Sequence, residues 1–271
     1  MQAAEPETKT GATAHGFRLL SSLMFGLPKI GLRLPRTPSG IRAYAVGDVH
    51  GRLDLLEQLL VAIDEDDARR PRCETALIFL GDLIDRGPDS RGVIERLRTF
   101  RHHRLRPQFI AGNHEEVLLR LLNGENEILY SWLRYGGREC LASYGCDLAK
   151  IDLSDEMSAL TTIRSVFPSS HVKFIGSFCD TLRLGDYFFV HAGIRPGVDL
   201  SLQSISDLRW IRSTFLDDKS DHGAIVVHGH TISSDAQFEV NRIGIDTGAY
   251  RTGRLTAVGL EGEQRWLLAT A

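Results

Sequence analysis

The chain has 271 residues, 42% of them hydrophobic and 25% charged, with a formal net charge of −3 at pH 7. This balance suits a soluble domain with a sizeable core, and the small negative charge removes the electrostatic case for nucleic acid as a partner. Cys73, Cys140, Cys146 and Cys179 are scattered without a C-x-x-C pair, which argues against a disulfide framework or a zinc knuckle and for reduced thiols in a cytoplasmic protein. Cys140 and Cys146 are the one pair close enough in sequence for a local disulfide.

Residues 1–40, rich in Gly, Pro, Thr and Ala, read as a flexible N-terminal tail, with one folded domain over 41–271. Inside the tail, Leu19 to Pro28 is apolar but far too short to cross a bilayer. Lys29, Arg33 and Arg36 follow it where a signal peptide would carry small residues, so no membrane contact is expected. From Ile41 the pattern alternates. Ile41 to Val46 reads as a strand, Leu53 to Ile63 as an amphipathic helix, and Thr75 to Leu80 as a second strand. A helix around Val93 to Arg101, a short strand at Gln108 to Ala111 and a helical run from Glu115 to Leu122 continue the rhythm, which predicts parallel β-α-β units. Residues 123–176 break it. Ile128 to Tyr135 and Leu160 to Phe167 look helical, so this stretch reads as a helical insertion, or cap. Strands return at Thr181 to Leu184 and Tyr187 to Val190 around a Gly185-Asp186 hairpin turn, then at Ala224 to Val227, Glu239 to Ile245 and Leu255 to Leu260.

The polar residues sit where strands end. Gly47-Asp48-Val49-His50-Gly51, Gly81-Asp82-Leu83-Ile84-Asp85-Arg86-Gly87 and Gly112-Asn113-His114-Glu115 follow the first three strands, and His191-Ala192-Gly193 and His228-Gly229-His230-Thr231 follow two later ones. In parallel sheets such turns share the edge where α/β folds place ligands. Asp48, His50, Asp82, Asn113, His191 and one of His228 and His230 offer six donors of mixed imidazole, carboxylate and amide type, which suits manganese, iron or zinc. Six exceed what one catalytic ion uses while keeping a position open. Two ions bridged by one carboxylate accommodate them.

These five motifs, in this order, resemble the calcineurin-like metallophosphoesterase superfamily, and Asp85-Arg86-Gly87 with GNHE resembles its phosphoprotein phosphatase branch of bacterial type. The resemblance implies a four-layer α/β/β/α sandwich and two divalent metal ions. Asp48 and His50 would hold the first, Asp82 would bridge, and Asn113, His191 and His230 would hold the second. A hydroxide between the ions would attack phosphorus directly. His114 would protonate the leaving group, Asp85 would orient His114, and Arg86 would grip the phosphate. Trp210-Ile211-Arg212 stands where the branch carries a second phosphate-binding arginine, which selects Arg212 over Arg209. His228 and Glu115 would stand behind the ligands. Asp246 reads equally as a tether for a ligand histidine or as a turn-former, and Gly136-Gly137 as a pocket border or a hinge.

The implied substrate is a phosphorylated protein, phosphoserine or phosphothreonine, or a small phosphoester. The alternative is a nucleotide polyphosphate hydrolase of the symmetrical diadenosine tetraphosphatase type, whose members carry Ala-Arg-Gly and GNHD where this chain has Asp85-Arg86-Gly87 and Glu115. A metal-holding module without catalysis would show a degraded ligand or His114, and none is degraded.

Overall fold

The alternation beginning at Ile41 builds two five-stranded sheets in a computed structural model that describes residues 34–153 and 155–270. The first half supplies β1 (Ile41–Val46), β2 (Glu74–Phe79) and β3 (Leu105–Phe109), and the second half β4 (Thr181–Leu184), β5 (Tyr187–Val190), β6 (Ile225–His228), β7 (Gln237–Phe238), β8 (Arg242–Gly244), β9 (Thr256–Glu261) and β10 (Gln264–Ala269). One sheet has the order β10-β9-β1-β2-β3 and the other β4-β5-β6-β8-β7. β1, β2 and β3 run parallel, as do β5, β6 and β8, and antiparallel strands close every edge but that of β3.

Between the strands come α1 (Leu53–Arg69), α2 (Ser90–Arg98), α3 (Asn113–Leu122), α4 (Leu129–Trp132), α5 (Arg138–Ser143), α6 (Glu156–Val166), α7 (Ser169–Ile175), α8 (Ile205–Trp210), α9 (Ser213–Leu216) and α10 (Ala249–Thr252). Side-chain alternation sorts them into layers. Ala43, Ala45, Ile78 and Leu80 meet Tyr187, Phe189, Ile225 and Val227 in a core between the sheets. Tyr44, Val46, Leu77 and Phe79 face the other way, onto α1 to α7. Phe188, Val190 and Val226 back onto Leu208 of α8 and Phe215 of α9. The result is the four-layer α/β/β/α sandwich, with two sheets facing each other and helices outside both.

Several boundaries differ from the pattern reading, for local reasons. β3 begins at Leu105 and contains Pro107, which a strand tolerates because β3 is the sheet's edge. α2 begins earlier, at Ser90, because Asp89 caps it by accepting the Gly92 N–H at 2.7 Å. The stretch expected as one strand from Glu239 is the turn and second strand, β8, of a tight hairpin whose first strand, β7, lies before it, closed by the Glu239 N–H on the Arg242 carbonyl. β10 was not expected. Its signal was Gly262, at φ +54° in the turn that pairs Glu261 with Gln264. Gly185-Asp186 does form the two-residue hairpin turn between β4 and β5.

The helices of 123–176 share one continuous core with β1, β2, α1 and α2, through Trp132, Leu133, Cys140, Leu141, Leu160 and Ile163. All four cysteines are free, so Cys140 and Cys146 are not bridged. Leu19 to Pro28 lies outside the described residues. Pro35 and Arg36 do contact the sandwich, their carbonyls accepting from the Tyr187 hydroxyl at 3.3 Å and the Asp186 N–H at 3.0 Å. Among the described residues no helix is long and apolar enough to cross a membrane.

A buried charge cluster ties α1 to the first sheet. The Arg42 guanidinium of β1 donates to Asp67 of α1 at 2.5 Å and to Glu261 of β9 at 2.8 Å, and Thr75 of β2 donates to Asp67 at 2.8 Å. Both Arg42 and Asp67 are fully buried; without Asp67, Arg42 loses its buried counter-charge and keeps only the partly exposed Glu261, and Arg104 loses its own ion pair. Asp67→Ala is expected to cost about 3 kcal/mol in urea unfolding.

Candidate metal centre

The parallel strands bring six turns to one edge, those carrying Asp48, Asp82, Asn113, His191, His230 and Asp246. All six residues are buried, as are His50, Asp85, His114 and Glu115. Asp82 joins the turns of the first sheet. Its carbonyl accepts the N–H groups of Val49 and His50 at 3.1 and 2.9 Å, and its carboxylate accepts the His114 N–H at 3.1 Å. Glu115 accepts from the backbone N–H groups of Asp82, Leu83 and Gly112 at 2.8 to 3.0 Å, so it fastens the Asp82 turn to the start of α3.

Backbone strain marks the same residues. Among the described residues, the non-glycine positions with positive φ are His50 (+45°), Asp82 (+50°), Asp85 (+69°), Arg86 (+66°) and His230 (+63°). Such conformations cost about 1–3 kcal/mol each and persist only where the surroundings over-determine them. Every one belongs to the set selected from the sequence. Gly229 shows the crowding that replaces side chains: a Cβ there would lie 2.1 Å from Asp48 Oδ1.

Two groups of donor atoms form, and Asp82 is in both. One contains His50, Asp82 and His114, the other Asp82, His191 and His230. His50 Nε2 is 3.6 Å from Asp82 Oδ2, and His191 Nε2 is 3.4 Å from Asp82 Oδ1, 2.9 Å from Asn113 Oδ1 and 3.2 Å from His230 Nδ1. His50 and His191 each place Nδ1 at 2.8 Å from a backbone carbonyl, of Ile84 and Leu80. A carbonyl only accepts, so Nδ1 carries the proton and Nε2 presents its lone pair inward. Nε2 of His50 is buried with no hydrogen-bond partner, which a bound cation would satisfy.

Asp48 is in neither close group; its two oxygens accept the His230 N–H at 3.1 Å. Burial, together with Asp246 and Asp82, raises its carboxyl well above the ordinary range, and burial raises that of Asp246 to about 6. Clustered buried carboxyls of this kind carry the electrostatic deficit that a divalent cation relieves. Asp246 therefore faces Asp48 rather than a ligand histidine, while its Oδ1 also accepts the Gly248 N–H at 2.8 Å, as a turn-former does.

The histidines divide electrostatically. Burial lowers His50, His191 and His230, the last to about 2, which favours neutral imidazoles. Burial also works against the charged form of His114, but Asp82 and the hydrogen-bonded Asp85 outweigh it and hold its imidazolium above the usual range. His114 Nδ1 lies 2.6 Å from Asp85 Oδ2, and Trp132 Nε1 donates to the same oxygen at 3.0 Å.

Around this centre stand the cations. Arg86 is half-buried, makes no side-chain hydrogen bond or ion pair among the described residues, and lies 5.0 Å over the Tyr250 ring. Its backbone N–H donates to the Gly136 carbonyl at 3.2 Å, and a Cβ on Gly136 would lie 2.4 Å from Arg86 N. Gly136 thus borders the site. Arg212 reaches the His230 carbonyl and Thr231 Oγ1 at 3.5 and 3.4 Å. Arg209 is instead engaged by Asp180 and Glu116. His228 stands apart: it packs on Phe215, its Nδ1 lies 3.0 Å from the Gly229 carbonyl, and burial lowers it to about 4. Tyr250 was not anticipated. It packs edge-on against His50 at 5.3 Å, and its signal was an aromatic residue four positions after Asp246 at the same sheet edge.

Known proteins resemble this chain in sequence and in fold. Over 81 residues, 30% of this chain, the sequence is 43% identical to a symmetrical bis(5'-nucleosyl)-tetraphosphatase of Legionella pneumophila (strain Corby), and the match spans 26% of that protein's length. Over 239 residues it is 26% identical to PrpE, an asymmetrical bis(5'-nucleosyl)-tetraphosphatase of Bacillus thuringiensis (strain Al Hakam), covering 79% of this chain and 88% of that one. The solved structure of a candidate diadenosine tetraphosphatase superposes with a TM-score of 0.59 at 21% identity, covering 88% of this chain and 99% of that one, a likeness of fold. The sequence profile of the calcineurin-like phosphoesterases matches residues 41–252, and the chain belongs to that family.

Proposed function

We infer that this chain is a two-metal hydrolase whose substrate is a dinucleoside polyphosphate. The observation that carries the metal part is the pair of buried donor groups meeting at Asp82, with inward lone pairs on His50 and His191. The relatives carry the substrate part, because those matched along the sequence are named bis(5'-nucleosyl)-tetraphosphatases. Asp48, His50 and Asp82 would hold one divalent ion, and Asp82, Asn113, His191 and His230 the other, with manganese the expected metal. Such ions supply charge that draws electrons from phosphorus and acidifies water.

The chain's own residues would do the rest. Arg86, whose side chain makes no hydrogen bond or ion pair among the described residues, would bind non-bridging phosphate oxygens, as would Arg212. His114, whose protonated form Asp82 and Asp85 favour, would give its Nε2 proton to the departing oxygen. One observation favours a second substrate class. An expelled nucleoside diphosphate is a good leaving group, whereas the alkoxide of serine or threonine needs a proton, and the short His114–Asp85 contact is built for that. Phosphomonoesters of protein side chains are therefore the second reading.

Comparing kcat/KM for diadenosine tetraphosphate, a phosphothreonine peptide and a phosphotyrosine peptide tests the substrate. The dinucleotide is expected to lead; a lead for phosphothreonine would move the chain to monoesters. Exhaustive chelation should abolish turnover of all three and manganese should restore it, whereas full turnover by metal-free protein would refute the inference. Gly136→Ala, which pushes a methyl group into Arg86, should lower kcat/KM by about 10–100-fold. Wild-type activity in that variant would remove Arg86 from phosphate binding.

A further inference from the structure

The helices of 123–176 contribute one side chain to the acid pair. Trp132 ends α4, is 2% exposed, and gives its indole N–H to the Asp85 carboxylate at 3.0 Å from Oδ2 and 3.3 Å from Oδ1. A buried indole needs an acceptor, and a buried carboxylate needs donors; here each supplies the other. The same oxygen, Oδ2, faces His114 Nδ1. The Trp132 ring is held in turn by the helix distortion at Leu133–Gly137, where a Cβ on Gly137 would lie 2.4 Å from it. One residue earlier, the Gly136 carbonyl accepts the Arg86 N–H. A single turn thus grips Asp85 through Trp132 and Arg86 through Gly136, and irregular helical turns of this type concentrate at functional sites.

We propose that Trp132 is a positioning residue for leaving-group protonation, holding the Asp85 carboxylate in the one orientation that aims His114 at the departing oxygen. This rests on the reading of His114 as the acid. Without the indole N–H, the carboxylate is held only by His114 itself and the Cys140 thiol, and the imidazole it directs loses its aim, so the loss falls on esters that need the proton. Loss of packing alone would fall on all esters equally.

The test measures kcat/KM for p-nitrophenyl phosphate and phenyl phosphate, which differ in leaving-group basicity. It compares the wild type, Trp132→Phe, and protein carrying benzothienylalanine at 132, which keeps the indole shape without the N–H. His114→Asn serves as reference, and bound manganese is counted in each. Both position-132 proteins are expected to lose more on phenyl phosphate than on p-nitrophenyl phosphate, by about tenfold in the ratio, in the same sense as His114→Asn and with two manganese ions retained. Equal losses on the two esters at position 132, beside a selective loss in His114→Asn, would overturn the role of Trp132 alone. Equal losses in His114→Asn itself would overturn the acid reading and this inference with it.

Discussion

The Asp82 carboxylate is the point on which the architecture converges. It stands among four imidazoles, those of His191, His114, His50 and His230, while its own backbone fastens the neighbouring turn through Val49 and His50. A carboxylate placed there without burial would be one surface charge among many. Buried at the edge where the turns of both sheets meet, it gathers four imidazoles around one negative charge. The left-handed backbone at Asp82 follows from this: the residue must turn its carbonyl to the first motif and its carboxylate to the cavity, and a strand-like backbone does not do both.

The histidines show how a uniform residue type acquires distinct roles. His50 and His191 are tied at Nδ1 to carbonyl oxygens, and His114 at Nδ1 to a carboxylate. A carbonyl fixes a tautomer and leaves the ring neutral, whereas a carboxylate stabilises the protonated ring. Depth does not separate them, because all are buried. The difference lies in one acceptor oxygen per ring, a backbone carbonyl for His50 and His191 and the Asp85 side chain for His114.

Much of this was legible in the sequence, and the limits have physical causes. Strands β1 and β2 were readable because a buried parallel strand is a short apolar run, here with glycine after it, and Asp48 and Asp82 follow those glycines directly; β5 was readable as an apolar run that leads straight into His191. β3 and α2 were placed less well, since Pro107 and Asp89 act through context: an edge position and a cap. Trp132 was hidden for a different reason. Its contact with Asp85 spans 47 residues of chain, and a tryptophan in a helical run looks like core, which it also is. Between Arg209 and Arg212 spacing was a weak guide; the structure engages Arg209 with Glu116 and Asp180 and leaves Arg212 near His230. The substrate class was legible least of all. Esters and anhydrides of phosphoric acid make the same demands on the donors around Asp82, and the residues that discriminate the remainder of a substrate lie on turns without periodicity.

The donor set is divided between the two halves of the sandwich. Asp48, His50, Asp82 and Asn113 extend from one sheet, and His191 and His230 from the other. An ion bound there would therefore be a rivet as well as a reagent: it would join two layers that already meet at that edge through the His230 N–H on Asp48 and His191 Nδ1 on the Leu80 carbonyl. Any affinity the folded chain has for the ion and the unfolded chain lacks is added to stability by mass action, about 2.7 kcal/mol at a hundredfold excess over the dissociation constant. Metal supply in the surroundings would then set how long the folded chain survives, before it sets how fast the chain turns over a substrate.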